Sequence, residues 1–177
     1  MLTLAATPVG AGAPAADVVV LPPVFEAHSS PAGTYVLEIR LREDANPHLA
    51  RATATLFRVT SSKRQAVWTR ELPHRPRPRF FAVGDGGQVV LLDEWLNIRS
   101  ELAVMVLDLA GCTLVQFDLE AVRAALGVPI SALAPAARHG VWMQAPPVIN
   151  ARGDAVEVAA ANRVLSIRLS DGKLSAH

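Results

Sequence analysis

Three times the chain sets a glycine turn directly before an apolar strand. SPAGTYVLEI, VGDGGQVVLL and INARGDAVEV place Gly33, Gly87 and Gly153 at equivalent points, 54 and 66 residues apart. Each is followed by a second strand, a tight turn and a third: LFRV-TSSKRQ-AVW, VLDL-AGC-TLVQF and SIRL-SDG-KL. A supersecondary unit repeated at this period predicts propeller-like blades or a related array of sheets. The units run over about 28–72, 80–119 and 141–177, within one domain at 26–177.

Strand periodicity orders the units. In YVLEIRLRE, residues 35–43, Tyr35, Leu37, Ile39 and Leu41 share one face, while Glu38, Arg40 and Arg42 share the other. Leu165, Ile167 and Leu169 alternate likewise with Ser166, Arg168 and Ser170. After Gln88, VVLL is instead continuously apolar, as is LAVMVL, the pattern of strands covered on both faces. The middle unit therefore belongs between its neighbours. Closed propellers typically need about four to eight blades. Three units imply an open, all-β stack of antiparallel sheets, either capped by polar outer faces as a monomer or completed by a second copy as a homodimer. The longer repeat spacing holds a helical insertion near 118–135, where Asp118 caps, Leu119, Val122 and Leu126 form a stripe, and Gly127 and Pro129 stop the helix.

Residues 1–25 read as a flexible tail or a signal-peptide remnant: MLTLAATPVGAGAPA is small and apolar with AGA and APA runs, but lacks a basic start. The first reading fits a cytoplasmic protein, the second a periplasmic or secreted one. No stretch is long and apolar enough to span a membrane. A net charge of +1 gives no reason to expect nucleic acid. Cys112, the single cysteine, excludes an internal disulfide and a cysteine-rich metal cluster.

RFFAVGDGGQVVLLDEW, LAVMVLDLAGCTLVQFDLEAV, Trp142 and VINARGDAVEVAAANRVLSIRLSDGKL together resemble a group of uncharacterised, mostly exported bacterial proteins with propeller-like β repeats. The resemblance spans about residues 30–175 and implies a fold and an export route, without an activity. Where that pattern has a Gly/Asn-rich loop after the tryptophan, this chain has LNIRS.

Few residues stand out chemically. Asp85, in GDGG, lacks the alternating oxygens of a calcium loop and the lysine of a phosphate loop, so it reads as a turn residue. RGD at 152–154 falls in register with the repeat turns. His28, His48, His74, His139 and His177 lack metal-ligand spacing, and no metal site, cofactor or catalytic residue is expected. Asp93, Glu94 and Trp95 end the most buried strand, where an acid beside an aromatic can hold a cation or a sugar. Their alternative is structural, with Asp93 bonded to loop backbone and Trp95 packed as core. HRPRPR, residues 74–79, holds Arg75, Arg77 and Arg79 as a basic run for an acidic partner or phosphate, or else forms a solvated loop between units. These six residues are the candidate ligand- or partner-binding set of a non-catalytic interaction module for an unknown protein or small ligand. The alternatives are an inhibitor or immunity-type protein, and a hydrolase assembled from different units.

Overall fold

The computed structural model describes residues 21–42, 51–95, 100–133 and 142–177. The segment 1–20, most of the LNIRS loop, the end of the insertion at 134–135, residue 141, His48 and His139 lie outside them. The described chain forms three four-stranded antiparallel sheets, none closed into a barrel. The first contains β1 (Phe25–Ser29), β2 (Tyr35–Leu41), β3 (Ala52–Val59) and β4 (Arg64–Glu71) in that order. The second contains β5 (Pro78–Val83), β6 (Val89–Glu94), β7 (Val104–Leu107) and β8 (Thr113–Phe117). The third, β9 (Val148–Ile149), β10 (Ala155–Ala160), β11 (Arg163–Arg168) and β12 (Leu174–Ala176), keeps the same sequential pairing.

The repeat turn is one device used three times. Gly33, Gly87 and Gly153 have φ of 69, 80 and 71°. Their N–H groups donate to the carbonyls of Ser30, Gly84 and Asn150 over 2.8–2.9 Å. A left-handed residue at this point gives the hairpin its twist, and glycine takes it without a Cβ penalty.

The middle sheet is buried on both faces. Phe81, Val83, Val89, Leu91, Met105 and Leu107 join one core with Leu37, Ile39 and Leu56 of the first sheet. Ala82, Val90, Leu92, Val104 and Val106 join another with Val156, Val158, Leu165 and Ile167 of the third. The outer face of the first sheet is closed off by charge. Arg40 lies over Phe25 at 4.2 Å and Arg64 over Phe57 at 3.9 Å, and both guanidinium groups bond to Glu38.

Helix α1 (Leu119–Leu126) packs on β8, β11 and β12 and sends Val122 and Leu126 into the second core. Asp118 caps it by accepting the Ala121 N–H at 2.8 Å, and Gly127 ends it at φ 65°. A short turn, α2 (Ile130–Leu133), follows and buries Leu133.

Gly172, between β11 and β12, has φ 70°, and a Cβ there would stand 2.0 Å from Val115 Cγ2 on β8. Backbone strain and overpacking therefore add. Gly172→Ala is expected to lower stability by about 2–4 kcal/mol, read from urea unfolding. Val115→Ala in the same chain should return the packing part and leave the backbone part; a neutral Gly172→Ala would show that the turn is not held against β8.

Candidate functional site

The segments 75–79 and 93–95 meet at the end of the middle sheet opposite its repeat turn. β5 begins at Pro78 and pairs antiparallel with β6, setting Pro78 against Glu94 and Phe80 against Leu92. Arg79 and Asp93 therefore stand opposite each other between those two pairs. The fold thus brings all six candidate residues together.

Asp93 is 2% exposed and has φ 55°, a left-handed conformation that a non-glycine residue adopts at a cost. Its N–H donates to the Ala103 carbonyl at 3.1 Å, and its Oδ1 accepts the Glu94 N–H at 3.0 Å. Burial pushes its carboxyl up to about 7. The Glu94 N–H, the Ser100 hydroxyl and Arg79 oppose that rise, and the Glu94 carboxylate adds to it. A buried, strained acid poised near neutrality is the kind of group that marks functional sites.

Glu94 ties the two segments. Its Oε1 accepts the Arg75 N–H at 3.0 Å and its Oε2 accepts the Ser100 hydroxyl at 3.2 Å. Trp95 donates its backbone N–H to the Arg77 carbonyl at 3.2 Å. Trp95 is half-buried, and its ring lies 4.8 Å from the Arg79 guanidinium and 5.9 Å from that of Arg77.

The basic run is not a solvated loop. Arg77 and His74 are both 0% exposed, and Arg75 alone of the three arginines is fully at the surface. Arg77 Nε donates to the Pro78 carbonyl at 3.2 Å and Nη1 to the Pro23 carbonyl at 2.8 Å, while Nη2 pairs with Glu26. Burial lowers its pKa, and Glu26 works against that. The counter-charge from β1 is what permits the burial. His74 is pushed down to about 3, first by burial and then by the Arg70 charge, so it stays neutral. Neither of its ring nitrogens has a hydrogen-bond partner among the described residues.

Two residues of this network carry no local signal. Glu26 bonds His28 Nε2 at 2.9 Å, and the His28 ring stacks on Phe81 with centroids 4.1 Å apart. Both come from β1, a short strand of polar and apolar residues with no long apolar run, so only the assembled fold shows their partners. Ser100 also lines an open cleft of about 240 Å³, together with Glu101, Asp118, Leu119, Glu120 and Ile130. Asp118 is already engaged there as the helix cap.

Asp85 stands at the opposite end of the sheet, where its Oδ1 accepts the Ala32 N–H at 2.7 Å and so joins the turns of neighbouring sheets. Arg152 and Asp154 of the RGD turn bond to each other at 3.3 Å, and Asp154 also bonds Asn150. Among the described residues no group of three or more His, Cys, Asp and Glu side chains is placed to hold a metal ion.

Comparison of the chain with models of protein families, with curated proteins and with solved structures finds no match.

Proposed function

We propose that the protein is a non-catalytic binding module, exported to the periplasm or beyond, that recognises a protein or small ligand through the 75–79 and 93–95 end of its middle sheet. The observation that carries this reading is the half-buried Trp95 with the Arg79 guanidinium laid against its ring, beside Glu94 and the exposed Arg75. Tryptophan and arginine are the side chains most often found at the energetic centres of interfaces. The resemblance to exported repeat proteins supports the location.

A second reading, a hydrolase, draws on Asp93 alone: a carboxyl titrating near 7 has the acidity a general base needs. The test immobilises the full chain, and Trp95→Ala and Arg75→Ala variants with unchanged unfolding midpoints, against native cell-envelope extract. Bound proteins are identified by mass spectrometry, and a panel of esters, amides and glycosides is assayed alongside. The binding reading expects a partner held by the parent chain and released by both variants, with no turnover. Failure to hold a partner, together with turnover that Asp93→Asn abolishes, would replace it with the hydrolase reading.

A further inference from the structure

We propose that the Arg79 guanidinium, laid on Trp95 and opposite the Asp93 carboxyl, is the docking point for a carboxylate of an acidic polypeptide, which takes the place of Asp93 as its counter-ion. The proposal rests on the binding reading and names its partner class.

The three arginines differ in what they have left to give. Arg77 spends its donors on two carbonyls and Glu26. Arg79 makes no side-chain hydrogen bond among the described residues, although burial lowers its pKa and Asp93 works against that. A half-buried guanidinium stacked on an aromatic ring, with no N–H donor spent on a described residue, is pre-organised for a carboxylate fork. Arg75 also has no side-chain bond among the described residues, and it is exposed.

Charge selects a monoanion. Arg75, Arg77 and Arg79 balance Glu26, Asp93 and Glu94, so the cluster is neutral with Asp93 ionised and carries +1 once Asp93 is protonated. One carboxylate restores neutrality; a phosphate dianion overshoots it and meets Glu94. A polypeptide is favoured over a free acid because the chain leading to the site is basic: residues 21–79 carry ten arginines and lysines against the five acids Glu26, Glu38, Glu43, Asp44 and Glu71. Such a field draws in and orients an acidic partner.

Docking is therefore linked to a proton. The groups acting on Asp93 are Arg79 from β5, the Ser100 hydroxyl, and the N–H and carboxylate of Glu94. With Asp93 titrating near 7, an incoming carboxylate binds best when that proton is on, and binding strengthens as pH falls through 7.

The experiment titrates the full chain, at fixed ionic strength, with an acetylated, amidated hexaglutamate peptide. In parallel arms the titrant is acetate, inorganic phosphate or a thymidine oligonucleotide. Binding is followed by the arginine Nε–H NMR resonances, with Arg79 assigned from Arg79→Lys. The expected result is a saturable shift of Arg79 by the peptide at concentrations where acetate does nothing, about ten-fold tighter near pH 6 than near pH 8. Asp93→Asn should bind at both pH values as the parent does at the lower one, and Arg79→Gln should not bind. Binding of the peptide unchanged in Arg79→Gln, or phosphate or the oligonucleotide binding more tightly through the same resonance, would overturn the proposal. If an envelope partner is still released by Trp95→Ala but held by Arg79→Gln, the binding reading stands and the carboxylate inference falls.

Discussion

Arg77→Ala is expected to lower stability by about 3–5 kcal/mol, the range for removing one partner of a buried ion pair. The guanidinium is wholly enclosed, and its loss strands the Glu26 carboxylate and leaves the Pro23 and Pro78 carbonyls short of a donor. It also opens a void beneath Phe81 and Trp95, whose rings lie 5.8 and 5.9 Å from it. Glu26 retains some solvent exposure, which places the cost toward the lower end of the range. Arg77→Lys should rescue little, since one ammonium group cannot span three acceptors set around a planar fork. Glu26→Gln combined with Arg77→Met should be less damaging than Arg77→Ala alone, because neither charge is then left buried without the other. Urea unfolding with an unchanged denaturant dependence is the measurement. A loss below about 1 kcal/mol for Arg77→Ala would mean that the arginine is hydrated and the 74–79 segment is a surface loop after all.

Asp93→Asn is expected to stabilise the protein above neutral pH and to do little in acid. The folded carboxyl titrates near 7, whereas its ordinary value is 3.8. Between those values the folded chain keeps a proton that the unfolded chain releases, so stability present below about pH 4 is lost as pH rises to 7. Three units correspond to about 4 kcal/mol at most. Asparagine cannot ionise, and it tolerates the left-handed backbone at φ 55°. The parent and variant curves should therefore part as pH rises from about 4 to about 7, with the variant above. Parallel curves would show that Asp93 is already ionised throughout this range and that its burial is incomplete.

Much of the architecture was legible because it is local. Alternation in YVLEIRL and its absence in QVVLL separate a one-sided sheet from a two-sided one, and the cores on either side of the middle sheet match that distinction. The Asp118 cap and Gly127 stop bound the insertion's helix with residues that act within a few positions of themselves. The first strand of each sheet was harder to read. FEAHS has no apolar run, and β9 is two residues long.

Within the site, DEW and RPRPR advertise acid, ring and charge, and strand order alone brings them to one edge. Their burial could not be read the same way. Arg77 looks like a surface residue until Glu26, 51 positions earlier, arrives across β1 to neutralise it. Asp85 likewise looks like an isolated turn acid until the Ala32 N–H, 53 positions away, is seen to donate to it. The left-handed backbone of Asp93 arises between two strand pairs and has no counterpart in its neighbours' identities.

Asp93 is an enclosed acid at a site rather than a solvated residue at a strand end. Its carboxyl carbon can be followed by NMR from pH 3 to 9 in the parent chain and in Arg79→Gln. A midpoint near 7 is predicted for the parent, moving higher in the variant, since Arg79 favours the charged form. A midpoint in the ordinary carboxylate range near 4, unmoved by the loss of Arg79, would contradict both the site and the role assigned to it.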